Sequence, residues 1–104
     1  MAYYALVPAA GTGMRMAHTT PKQYLPLAGH PVIWHALRVL CASTAIERVF
    51  VVLVAEDAHW SEQAMASLGP RLHVLRCGGQ TRAQSVLNGL RAMALMLGDI
   101  AEDW

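Results

Sequence analysis

RVFVVLV, residues 48–54, is the stretch that decides the fold. It is rich in β-branched side chains and is apolar at successive positions rather than alternate ones. A strand of that kind is buried on both faces, the usual state of a strand in a parallel sheet covered by helices. Two further runs share its character. Residues 2–7 (AYYALV) read as a buried strand ending at Pro8, and residues 72–76 (LHVLR) read as a third strand closed by Gly78 and Gly79.

Helical segments separate these runs. In residues 31–43 the apolar side chains Val32, Ile33, Ala36, Leu37, Leu40 and Cys41 fall on one helical stripe. Pro31 suits the first helical position, where a missing N–H does no harm. Residues 57–68 predict a weaker helix, with Asp57 as N-cap and Gly69-Pro70 as its stop. Residues 81–97 predict the strongest. Thr81 and Gln84 fit a capping box, Gly98 fits a terminator, and Ala83, Val86, Leu87, Leu90, Ala94 and Leu97 form the expected buried face. The order β-α-β-α-β-α implies an α/β fold, a doubly wound parallel sheet with right-handed crossovers. Three strands make a narrow sheet with an open edge. The expectation is therefore that residues 1–104 form a fragment of one larger domain.

Composition agrees with that expectation. Of the 104 residues, 55% are hydrophobic and 14% charged, against about 25% charged in an average soluble domain. Disorder is excluded, since it needs low hydrophobicity and high net charge. The apolar excess anticipates a surface that expects a cover. The net charge of +1 and the scattered Lys and Arg give no basic patch for nucleic acid. No apolar run approaches the roughly 20 residues of a membrane span, and the apolar start has no preceding Lys or Arg to make a signal peptide. Cys41 and Cys77 lack CxxC spacing and read as free thiols of a reducing cytoplasm.

Two loops carry the candidate chemistry. The first follows the first strand: Pro8, Ala9, Ala10, Gly11, Thr12, Gly13, then Met14 and Arg15. Ligands of open parallel sheets bind at the carboxyl ends of the strands, and small residues there let backbone N–H groups cradle an anion. The pattern is neither a P-loop nor GxGxxG, so it reads equally as a phosphate loop or as a plain glycine turn. Arg15 and Lys22 ride on the irregular stretch that follows. They are either two cations converging on phosphate or two solvated surface charges. The second loop is Gly78-Gly79-Gln80-Thr81-Arg82-Ala83-Gln84-Ser85. It reads as a turn plus an N-cap or as a ligand contact. Ser85, one turn into the helix, has little structural purpose on spacing alone and is the expected ligand contact. The five His show no metal-ligand spacing, and no residue of the chain is assigned to a metal.

Three ordered blocks, PAAGTGMRM (residues 8–16), PKQYLPLAGHPVIWHAL (21–37) and GGQTRAQSVLNGL (78–90), closely resemble the 2-C-methyl-D-erythritol 4-phosphate cytidylyltransferases. The resemblance runs over nearly the whole chain. It implies a Rossmann-like nucleotidyltransferase domain that joins CTP to methylerythritol phosphate, with Mg2+, and releases pyrophosphate in non-mevalonate isoprenoid biosynthesis. By resemblance, Arg15 and Lys22 stabilise the charged transition state and residues 9–13 wrap the triphosphate and ribose. Gly79, Gln80 and Ser85 hold the cytosine and ribose end, with Pro8, Gly78 and Arg82 alongside. Gln80 stands where some members carry Asp. The family continues into a strand ending in Asp-Ala-Ala-Arg-Pro, whose Asp binds the metal. This motif is absent from the 104 residues, and Asp99, Glu102 and Asp103 precede its expected position. The resemblance further implies a cytoplasmic protein, homodimeric at full length, and a 104-residue chain inactive alone. Ribitol-phosphate or other sugar-phosphate nucleotidyltransferases share GxGxRM and PKQ. A non-catalytic module pairing through its open sheet edge is the reading of a different kind.

Overall fold

The computed structural model describes residues 3–10 and 22–97. Its centre is the strand anticipated from RVFVVLV, here β4 (Ile46–Val52). β4 lies between β1 (Tyr3–Pro8) and β5 (Leu72–Leu75), and both pairings are parallel. Ala5 pairs with Val49 and Val7 with Val51 on one side, and Val49 pairs with Leu72 on the other. The strand period of two then sorts the side chains. Val49, Val51 and Leu53 join Ile33, Leu37, Trp60 and Met65 in one core layer. Phe50 and Val52 join Leu75 and Met93 in the layer on the opposite face. The sheet is covered on both faces, as its apolar central strand requires.

α1 (Val32–Ala42) packs on the first layer through Ile33 and Leu37, one turn apart. Pro31 stands at its N-cap with ψ 148° rather than at the first helical position. It belongs instead to β3 (His30–Pro31), which pairs antiparallel with β2 (Pro26–Leu27). This small hairpin was not expected from the sequence, because its strands are two residues each and show no periodicity.

The helix expected over residues 57–68 is much shorter. α2 spans Glu62–Met65 and passes into a 3-10 turn at Ala66–Leu68. Asp57 does not cap it. The Asp57 carboxylate accepts the N–H groups of His59 (2.8 Å) and Trp60 (3.0 Å), a local turn that competes with helix formation. That turn brings Trp60 into the core, and Ser61 Oγ accepts the Ala64 N–H as the actual cap.

α3 (Arg82–Leu97) covers the other face, lying against β1 and β4. Thr81 Oγ1 accepts the Gln84 N–H at 3.0 Å, as expected. The reciprocal bond of the capping box is shifted by one residue, because Gln84 Oε1 accepts from Gln80 N. The expected terminator Gly98 lies outside the described residues. The buried face is the larger correction. It consists of Ser85, Gly89 and Met93, whereas Leu87 and Leu90 are 47% and 44% exposed. Ala83 and Ala94 are exposed too, and Val86 and Leu97 are only half-buried. The cause is close approach of helix to sheet. A Cβ at Gly89 would come within 2.7 Å of Val52 Cγ2 and 2.9 Å of Leu6 Cδ1. The helix therefore docks on its smallest side chains, and its Leu stripe is turned away.

His73, on β5, stacks on Phe50 with ring centroids 5.2 Å apart. Burial, with a smaller contribution from the Arg48 charge, lowers its pKa below the ordinary 6.5. The unfolded chain then binds a proton in a pH range where the folded chain does not, so stability falls as pH drops below 6.5. Urea unfolding at about pH 7.5 and pH 5.5 checks this, in a range where His alone titrates strongly. His73→Gln is expected to lose less stability between the two pH values than wild type, and an equal loss would remove His73 as the cause.

Candidate functional site

Backbone bonds continue past the strand ends and build the site. Ala9 N donates to Val52 O (2.8 Å), Leu53 N to Leu75 O (2.8 Å) and Gly78 N to Leu53 O (2.9 Å). The first loop, the end of β4 and the second loop are thereby laced side by side at the carboxyl edge of the sheet. Strand order runs from β4 out to β5, and the next element, α3, returns across the opposite face toward β1. The end of β1 thus lies on the side to which the chain returns, at the carboxyl edge where open α/β sheets bind ligands.

A cleft occupies that position, lined by Pro8, Ala9, Ala10, Gln23, Arg82 and Ser85. It unites the start of the first loop with the first turn of α3, two segments that stand some seventy residues apart in the chain. Of the sequence-predicted residues, Pro8, Ala9, Ala10, Arg82 and Ser85 meet there. Gly78, Gly79 and Gln80 lie outside the lining, and so does Lys22, whose neighbour Gln23 is part of it. Gly11, Thr12, Gly13 and Arg15 fall outside the described residues.

Ser85 has a structural purpose that spacing did not reveal. It is 2% exposed, and its Oγ accepts the Gly79 N–H at 3.0 Å. The hydroxyl ties the helix to the glycine turn while facing the cleft. Asn88 Nδ2 holds the same turn from below through Cys77 O at 2.9 Å. Cys41 and Cys77 are both free and half-buried, and burial pushes both thiols up.

The opposite wall is the 3-10 turn Lys22–Tyr24. Gln23 Nε2 donates to Ala9 O at 2.9 Å, and the Tyr24 hydroxyl donates to Asp57 Oδ2 at 2.8 Å. Burial, followed by the Asp57 hydrogen bond and charge, holds the Tyr24 phenol well above its usual range. Sequence reasoning missed Gln23, which lines the cleft, and Tyr24 and Asp57, which hold its turn from outside the lining. The first two lie within the PKQY block, which was the available signal. Asp57 offered none, because its partner is thirty-three positions away. Chemically the cleft presents one guanidinium, one hydroxyl, a carboxamide and a wall of small residues, with no carboxylate in its lining. That set suits an anionic ligand whose backbone contacts are close. Among the described residues no group of three His, Cys, Asp or Glu side chains could hold a metal ion, and no helix is long and apolar enough to cross a membrane.

Comparison with known proteins decides the family. Residues 3–97 match the family model of IspD, 2-C-methyl-D-erythritol 4-phosphate cytidylyltransferase. The chain belongs to this family. A relative of that name from Aromatoleum aromaticum (strain DSM 19018 / LMG 30748 / EbN1) is 59% identical over 92 residues, 88% of this chain and 40% of the relative. Another, from Azoarcus sp. (strain BH72), is 54% identical over 103 residues, 98% of this chain and 42% of the relative. A crystal structure of 4-diphosphocytidyl-2C-methyl-D-erythritol synthase superimposes with a TM-score of 0.69 at 31% identity, covering 93% of this chain and 40% of that one. The cytidylyltransferase match supports the incomplete Rossmann-like α/β fold seen here. The chain spans about 40% of the length of the curated relatives it matches. Both loops of the cleft lie inside the IspD match.

Proposed function

We propose that residues 1–104 are the N-terminal part of one nucleotidyltransferase domain that transfers the cytidylyl group of CTP to 2-C-methyl-D-erythritol 4-phosphate. The observation that carries this reading is the cleft between the end of β1 and the first turn of α3, lined by residues from all three blocks that bear the family resemblance. A phosphate oxygen of the acceptor attacks the α-phosphorus of CTP. The bond from that phosphorus to the oxygen bridging it to the β-phosphorus breaks, and pyrophosphate leaves.

In this reading the loop Pro8, Ala9, Ala10, Gly11, Thr12 and Gly13 receives the triphosphate. Ala10 to Gly13 offer backbone N–H groups, while Pro8 has none and the Ala9 N–H is bonded to Val52 O, so these two supply only a small-residue wall. Gly78, Gly79, Gln80, Arg82 and Ser85 take the ribose and cytosine side. Arg15 and Lys22 offset the charge that builds on the phosphoryl oxygens, Arg as a planar fork and Lys as a point charge. The reaction class implies Mg2+. The described cleft does not fit it: its lining has no carboxylate, and the oxygens of nearby Asp57 are taken by Tyr24, His59 and Trp60. The chemistry derived for these residues is therefore that of the cations and backbone donors. Two free thiols fit a cytoplasmic location. The longer protein is read as a homodimer with no nucleic-acid partner.

Titration of the chain with CTP, ATP and GTP in magnesium buffer tests the reading. CTP is expected to bind best, and Lys22→Ala to weaken it by about tenfold or more, the scale of one charged hydrogen bond. Equal affinity for the three nucleotides, or no binding by a folded sample, would overturn the assignment of the cleft.

A further inference from the structure

The turn Lys22–Tyr24 has three consecutive side chains with three different destinations. Lys22 is exposed. Gln23 reaches Ala9 O at 2.9 Å and enters the cleft lining. Tyr24 points into the core, 8% exposed, with its hydroxyl on Asp57 Oδ2 at 2.8 Å. The turn is thus fastened twice to the carboxyl edge of the sheet, once to the end of β1 and once to the loop after β4.

Asp57 is a stiff anchor. Its second oxygen accepts the N–H groups of His59 and Trp60 at 2.8 and 3.0 Å. Arg76 Nη1 donates to its backbone carbonyl at 2.9 Å. The His59 ring stacks on Tyr24 with centroids 5.4 Å apart. Trp60 is itself part of the core, so the loop that carries Asp57 is held from both sides. This saturation has an electrostatic consequence. A carboxylate near an anion site competes for its cations, and one already holding three donors has little accepting capacity left to do so. Asp57 can therefore hold the turn without drawing Lys22 away from a ligand.

We infer that Tyr24 and Asp57 are positioning residues that aim Lys22 and Gln23 at an anionic ligand in the cleft, a nucleoside triphosphate. The inference rests on the function proposed above. The physical basis is preorganisation: a cation on a turn fixed at two points loses less freedom when it meets phosphate than one on a free loop.

The test is a double-mutant cycle on the 104-residue chain with CTP in magnesium buffer as the probe. Tyr24→Phe removes one oxygen and keeps the buried ring. It is expected to weaken CTP binding by about tenfold in the wild-type background and by less than about twofold when Lys22→Ala is already present, because the two changes act on one interaction. Equal losses in both backgrounds would overturn the inference, since a merely structural tyrosine acts independently of Lys22. No loss in the wild-type background would overturn it as well. Amide exchange on the same proteins separates this inference from the functional reading. Tyr24→Phe is expected to speed exchange at Leu25, whose N–H bonds to Lys22 O, by at least about tenfold and to leave β4 unchanged. If wild type binds no CTP, the functional reading fails. Faster exchange at Leu25 then retains the joint for another anion, and unchanged exchange removes it.

Discussion

Gly78→Ala is expected to lower the unfolding free energy by about 2 to 3 kcal/mol, the upper part of the range for overpacking a tight site. An added Cβ would stand 2.4 Å from Ala10 Cβ, 3.0 Å from Leu53 O and 3.1 Å from Leu53 C. The backbone cannot simply retreat, because the Gly78 N–H is already bonded to that same Leu53 carbonyl at 2.9 Å. Retreat would leave a half-buried donor and the carbonyl of fully buried Leu53 unpaired and would also separate the two loops of the cleft. CTP binding should therefore fall along with stability. Urea unfolding of Gly78→Ala and of Gly78→Ala with Ala10→Gly measures the effect. The double variant removes the nearest clash and leaves the carbonyl contacts, so it should recover part of the loss. A single variant within about 0.5 kcal/mol of wild type, the range of an unconstrained surface site, would mean the loops are not this close.

Phe50→Ala is expected to cost about 3 to 5 kcal/mol, combining lost transfer energy with a cavity. Phe50 is fully buried on the central strand, on the face covered by α3. It meets Tyr4 with ring centroids 6.5 Å apart and His73 at 5.2 Å. Strands on both sides hold the backbone, so the hole cannot close. The same layer gives a test of how α3 is oriented. Met93→Ala should cost about 2 kcal/mol or more, whereas Leu87→Ala and Leu90→Ala should stay near 0.5 kcal/mol. Equal losses at Leu87 and Met93 in chemical denaturation would show that the Leu stripe, not the small-residue face, is buried.

Much of the arrangement was legible from local pattern. The two-sided apolarity of residues 48–54 placed β4 at the centre of a parallel sheet, and the flanking runs located β1 and β5. Thr81 capped α3 as its spacing with Gln84 indicated. Five candidate residues named from two loops proved to share one cleft, because strand ends of a parallel sheet necessarily lie at one edge. The block resemblance led to the family that residues 3–97 match.

What the amino-acid sequence determined by itself is what short-range physics governs: apolar period, caps, turn residues and the order of elements. Tertiary structure decided the rest. Hydrophobic period marked Leu87 and Leu90 as core, but α3 packs through Ser85 and Gly89. Proximity of helix to sheet depends on a missing side chain, which no apolarity count registers. Asp57 looked like a helix cap. Its oxygens serve a turn and the hydroxyl of Tyr24, thirty-three residues earlier. Ser85 looked free for a ligand until the glycine turn folded onto its Oγ. Gly89 meets Leu6 and Val52, and Asp57 meets Tyr24, only because chain folding brings distant segments within reach, whereas Ser85 and Gly79 stand six residues apart and needed only the conformation of the glycine turn.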